Sequence, residues 1–252
     1  MTTESCQKRS IMPIRNDEPG EEVTVVHRWE KGLTWMAHTE PQMQRASHAL
    51  VDSDEIWLVD PLDAQGLDEE IDALGTIAGI VVLDRHHGRH ADRLAARHDV
   101  AIHVPTHLPK DSHPVSGFDA PVEFFDEELA DTGFELVWQK TKPLLQWYEG
   151  ALYHPDRGTL VIPDTLMTSH LTVQDGRLEV VPFWRFSPPT ELGDLAVERV
   201  LVGHGEPVTD DAQTALEEAL AGVHGSAGGA IIRALLRTIP KMPRFMYKQL
   251  RH

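Results

Sequence analysis

Between residues 81 and 105 the chain reads VVLDRHHGRHADRLAARHDVAIHVP, which gathers His86, His87, His90, His98 and His103 around Arg85 and Arg89. Closely spaced imidazoles are the common protein donors to zinc, iron or manganese. Guanidiniums in the same stretch oppose that chemistry: at ~5 Å and an effective dielectric of ~20, one arginine costs roughly 6 to 7 kcal/mol against a 2+ ion. Two arrangements follow. In one, Arg85 and Arg89 turn away from a metal; in the other, Arg89 stands where an ion would and forms a bidentate pair with Asp164 or Asp60.

The histidine group follows the apolar run GIVVLD, and three other runs end the same way: Asp60 follows EIWLV, Asp164 follows GTLVIP and His204 follows RVLVG. Strand ends in α/β sheets are where ligand sites collect, so four such endings point to one edge of a sheet. The elements behind them are legible. EVTVVHRW, LTWMAH and SHALVDSDEIWLVDP predict an antiparallel β opening, the last split by a Ser-Asp turn. From residue 63, DAQGLDEEIDALG predicts a helix, GIVVLD a buried strand, GRHADRLAARH a helix and VAIHVP a strand, a layered α/β texture. Residues 106–132 predict a connecting loop or a short insertion. FELVWQK, GALYHP, GTLVIPD, RLEVVPF and VERVLVGHG predict further strands, with a helix over residues 210–222.

In order and texture these segments resemble the metallo-β-lactamase-fold hydrolases. ALYHPDRGTLVIPDTL is similar to that family's strand, turn, strand and bridging-aspartate segment, with Asp164 as the aspartate. VLVGHGEPV is similar to its last metal-histidine segment, with His204 as the ligand, and IWLVDP to its early aspartate strand, with Asp60. VVLDRHHGRHADRL sits where the family has its H-x-H-x-D-H motif. The resemblance covers roughly residues 23–222 and implies a single-domain αββα sandwich of the α/β class. Laid over residues 85–90, the motif's first histidine is Arg85 and its aspartate is Arg89. The middle histidine falls near Leu145. His87, His90, Asp164 and His204 remain, an N₃O set suited to one zinc, iron or manganese ion, and a second site is lost because it draws on the aspartate that is now Arg89. Catalysis in such a site falls to Asp164, His87 and Arg89, with Asp60, Arg85, His86 and Trp147 around them. His86 would stand in for the first histidine only through a distorted loop.

Composition bounds the rest. The formal charge is −17, and only seven of the 23 cations are lysine; an acidic, lysine-poor surface suits a halophilic cytoplasm and argues against a nucleic-acid partner. Residues 1–22 predict a polar arm, residues 23–226 the domain, and residues 227–252 a basic amphipathic helix and tail. That tail holds Arg233, Arg237, Lys241, Arg244, Lys248 and Arg251 with no acid, which suits contact with an anionic partner or a peripheral membrane surface, or docking on its own acidic domain. Cys6 is the one cysteine, so an internal disulfide or thiolate cage is excluded. No apolar run reaches the roughly 18 residues of a span, and the N-terminus lacks a signal-peptide core, an expectation of a cytoplasmic protein. His98, His103, His107 and His113 share no ligand spacing and predict surface or capping roles. Two functions follow: a divergent hydrolase with at most one metal acting on an ester, thioester, lactone or phosphoester, with Arg85 or Arg89 gripping an anionic group, or a non-catalytic binder that kept the fold.

Overall fold

The alternation of apolar residues along the strands dictates the layering. In a computed structural model, residues 18–38, 43–169, 176–185 and 187–222 are described; most of the predicted N-terminal arm and the whole basic C-terminal segment lie outside them. Seven strands form the first sheet in chain order: β1 (Thr24–Trp29), β2 (Gly32–Met36), β3 (Ala46–Asp52), β4 (Glu55–Val59), β5 (Thr76–Val81), β6 (Ile102–Pro105) and β7 (Val122–Phe125). The first four are antiparallel, and from β4 onward the pairing is parallel. The second sheet runs β13 (Arg199–Val202), β10 (Thr159–Ile162), β9 (Trp147–His154), β8 (Glu135–Lys142), with β10 and β13 parallel. A small ribbon pairs β11 (Leu166–Met167) with β12 (Glu179–Val180).

Period two sorts each strand between two cores. Ile56 and Leu58 of β4, with Ile80 of β5, face α1 (Leu67–Asp72) and α2 (Ala91–His98) in one cluster. Trp57, Val59 and Val81 turn inward and meet Leu152, Val161 and Leu201 of the second sheet. On that sheet's far side, Leu160, Ile162, Val200 and Val202 pack with Leu216 and Leu220 of α3 (Ala212–Ala221). The layers are therefore helix, sheet, sheet, helix, the αββα sandwich expected. No helix among the described residues is long and apolar enough to cross a membrane.

Three expectations change. The loop over residues 106–132 contains β7, whose VEFF run extends the first sheet. Residues 18–22, assigned to the arm, are stitched to the domain: Gly20 donates to Asp63 O and accepts from Gln65. His103 is buried, its ring edge-on to Trp57 at 4.8 Å, because Gly79 leaves room for it beside that indole.

Candidate functional site

Asp60, the turn over residues 84–90, Asp164 and His204 all leave strands at the same edge of the sandwich, two from each sheet. Asp60 leaves β4 in the left-handed region, φ 47. The turn after β5 is closed by the His87 N–H donating to Asp84 O at 2.9 Å. Two glycines let the parts approach. A Cβ at Gly203 would stand 2.7 Å from His87 Cε1 and 2.5 Å from Pro163 O; Gly205 has φ +104 and lies against Thr168 and Ser169. The run V-G-H-G thus presents His204 while leaving space for the ring of His87.

His87, Asp164 and His204 converge, with ligand atoms all within 4.8 Å of one another. Nε2 of His87 and Nε2 of His204 each lie 3.1 Å from Asp164 Oδ1. The far ring nitrogens are held: His87 Nδ1 is 2.8 Å from Asp60 Oδ2, and His204 Nδ1 donates to Met43 O at 2.7 Å. Asp60 Oδ1 in turn accepts the Leu83 N–H at 2.9 Å. Burial and Arg89 push the His87 imidazole down, but Asp164 and Asp60 outweigh them and raise its pKa to about 10. Burial would raise Asp164, yet the charges of His87 and His204 hold it well below the ordinary carboxylate range.

Arg89 lies at this cluster without pairing to a carboxylate, which corrects the expected bidentate pair with Asp164 or Asp60. Its Nη1 donates to Ala46 O and to Asp60 O (2.9 Å); its Nη2 donates to Gly203 O (3.1 Å) and faces His87 Nε2 at 3.2 Å. The reason is its start point: Arg89 has φ +38 in the turn, and the side chain reaches the main chain at three strand ends. Arg85 turns away, Nε donating to His113 O and Nη1 to Gln146 O and Oε1, tying two loops together. Arg89 thus spends its terminal nitrogens on main-chain oxygens of the site edge, and Arg85 spends Nε and Nη1 on the loops at His113 and Gln146.

The structure does not bring His90 or His86 to the cluster. His90 caps α2, and its Nδ1 accepts the Asp63 N–H at 2.8 Å. The His86 ring packs edge-on to Trp147, centroids 6.0 Å apart. Trp147 is half-buried between His86 and Trp184, and donates from Nε1 to Glu149. Leu145, at the place of the missing middle histidine, ends the exposed turn Pro143–Leu145.

Two buried acids were missed. Glu149 accepts from Asp164 N (2.8 Å), Thr165 N (2.7 Å), Thr165 Oγ1 (2.5 Å) and Trp147 Nε1 (2.9 Å), and so holds the main chain that presents Asp164. Burial and Asp164 raise its pKa, and the Thr165 hydrogen bonds oppose the shift. Asp84 bridges to Glu149 across the two sheets and is fully buried; burial first, then Asp164, push it well above the usual carboxylate range. Each stands alone as an acid in an apolar strand or at its end, WYEGALYH and GIVVLD, the signal that marks a charge carried into the interior.

The donor set fits one ion. An ion with bonds of ~2.0–2.1 Å and tetrahedral angles separates its donors by about 3.3–3.4 Å, against the 3.1 Å found here. Asp164 Oδ1 is buried and has no aligned hydrogen bond although two ring nitrogens face it. The outer partners, a carboxylate on one imidazole and a carbonyl on the other, are those that orient metal-binding histidines. Among the described residues, His87, Asp164 and His204 are the group of such donors close enough to share an ion.

No family model matches the sequence, and no curated protein does. Solved structures do. A DIM-1 metallo-β-lactamase matches with a TM-score of 0.57 at 14% identity, over 81% of this chain and 99% of that one. A metallo-β-lactamase from Pontibacter korlensis matches at 0.58 and 11%, over 81% and 100%. The Flv1 flavodiiron core from Synechocystis matches at 0.58 and 10%, over 83% and 63%. The chain has the metallo-β-lactamase fold.

Proposed function

We propose that this metallo-β-lactamase-fold chain is a divergent, hydrolase-like protein with a degenerate site that holds at most one zinc, iron or manganese ion, and that with an ion it hydrolyses an ester, thioester, lactone or phosphoester. The observation that carries the reading is the convergence of His87 Nε2, His204 Nε2 and Asp164 Oδ1, with both outer ring nitrogens already engaged. His87, Asp164 and His204 would hold the ion; when bound, it supplies Lewis-acid polarisation and a bound water of lowered pKa.

The chain's own residues do the rest. Asp60 Oδ2 keeps a proton on His87 Nδ1, so the proton that must leave before His87 donates is the one on Nε2. Met43 O does the same for His204. Glu149 fixes the turn that carries Asp164. Trp147 donates to the same Glu149 and packs edge-on against Trp184, with ring centroids 5.1 Å apart.

One contact favours a second reading, a fold-retaining binder without catalysis: Arg89 Nη2 faces the same His87 Nε2 that an ion would take. Elemental analysis of full-length protein purified without chelator or affinity-tag histidines separates the two. About one equivalent of metal, lost in both His87→Ala and Asp164→Ala, supports the hydrolase; less than a tenth of an equivalent in the wild type refutes it and leaves the binder.

A further inference from the structure

The two sheets of the sandwich meet at the site edge through main-chain contacts, among them the Ala46 N–H donating to Gly203 O at 2.9 Å, the Gly205 N–H donating to Gln44 O at 2.8 Å and bridges between Arg45 and His204 and between Asp84 and Glu149. Arg89 is built into that junction. Ala46 opens β3 and Asp60 follows β4, both in the first sheet, whereas Gly203 follows β13 in the second. One guanidinium donates to all three carbonyls, and its Nη2 lies 3.2 Å from His87 Nε2. These are strand-end oxygens converging from two sheets, and a planar fork of fixed donors spans them where the single nitrogen of a lysine would not. The arrangement is not incidental to local preference. Arg89 holds the left-handed φ of +38 that a non-glycine residue rarely adopts, and its Nε is buried without a partner.

From this geometry we infer that Arg89 is a built-in cation that has taken over the structural work of a second metal ion, clamping the facing ends of the two sheets so that the site edge closes without any metal. The resemblance puts the second ion's aspartate at this position; here the residue carries the positive charge itself and needs no ligand for it. Three strand-end carbonyls take up its terminal donors, so Arg89 contributes charge and closure. The clamp stands whether or not His87, Asp164 and His204 bind an ion. Metal stoichiometry of the wild type decides that separate question.

The test is amide hydrogen exchange at Ala46 and Gly205, whose N–H groups cross the junction to Gly203 O and Gln44 O, in the full chain, with EDTA or with added zinc. In the wild type, protection at Ala46 stays within twofold between the two conditions. Arg89→Met lowers it at least tenfold, and Arg89→Lys, which keeps the charge and loses the fork, does not restore it. Arg89→Asp is as poorly protected as Arg89→Met in EDTA, and zinc restores it, a rescue that loss of packing alone would not give. A tenfold loss in the wild type on EDTA would show that an ion is the clamp, and full protection in Arg89→Met would show that packing is; either overturns the inference. If Arg89→Met fails to fold, the wild-type response to EDTA and the zinc response of Arg89→Asp still decide it.

Discussion

Replacing Glu149 tests how the site is held up. Its two oxygens accept two backbone N–H groups, a threonine hydroxyl and an indole N–H, all in a fully buried place. In Glu149→Ala the hydroxyl can rotate to another acceptor, but Asp164 N–H, Thr165 N–H and Trp147 Nε1–H are left unsatisfied. Each stranded donor costs about 1 to 3 kcal/mol. Removing a carboxylate whose charged form burial disfavours returns part of that, which leaves a net loss of roughly 4 kcal/mol. For a domain of this size that is a fall in Tm of about 8 to 16 °C. Glu149→Gln keeps one oxygen for the two main-chain donors and presents an amide N–H to the indole, so about half the loss is expected, ~2 kcal/mol. Urea denaturation followed by far-UV circular dichroism reads both variants. If the alanine variant loses under 1 kcal/mol, or the two variants lose the same amount, the four hydrogen bonds are not what supports this corner.

The pH dependence has a source in His48, which lies inside the sandwich with Nδ1 2.9 Å from Thr34 Oγ1 and Nε2 3.2 Å from Val202 O. Burial, reinforced by Arg89 and opposed by Asp60, lowers its pKa to about 3 from 6.5. The unfolded chain therefore takes up a proton first as pH falls through 6.5, and stability is lost below that value until the folded pKa is reached. At pH 5 His48 accounts for about 2 kcal/mol of that loss. His48→Gln should lose about 2 kcal/mol less than the wild type between pH 7.5 and pH 5 in chemical denaturation, and equal losses would discard the assignment. Gly203→Ala drives a methyl into Pro163 O and the His87 ring; a destabilisation of about 1 to 3 kcal/mol is expected, together with loss of metal in elemental analysis. A variant that keeps wild-type stability and metal content would show that the close approach at Gly203 is not required.

Much of the architecture was legible because it rests on local periodicity. The alternation in EIWLV, GIVVLD, GTLVIP and RVLVG makes each strand two-faced, and two-faced strands in two sheets require helices outside and an apolar layer between. The same runs end in Asp60, the histidine turn, Asp164 and His204, so the candidate edge could be read from where the apolar pattern stops. β7 was lost among prolines and acids because VEFF is too short to show a period. Glu149 and Asp84 left only a weak trace, one acid at the end of or inside an apolar run.

The direction of each side chain was not in the pattern. His87 and His90 are three residues apart and equally suited to a metal by type, but the turn that closes on Asp84 sends one ring to Asp164 and the other to the Asp63 N–H. Arg89 was recognisable as a cation in an unexpected place, and charge alone suggested carboxylate partners. Only the assembled sheets put three carbonyls from Ala46, Asp60 and Gly203 within reach of one guanidinium. Period and composition act within a few residues of chain and so declare strands, layers and the edge where ligands collect. Which donors meet there depends on contacts between residues far apart in the chain, from 27 positions for Asp60 and His87 to 161 for Met43 and His204, and these exist only once the two sheets have packed.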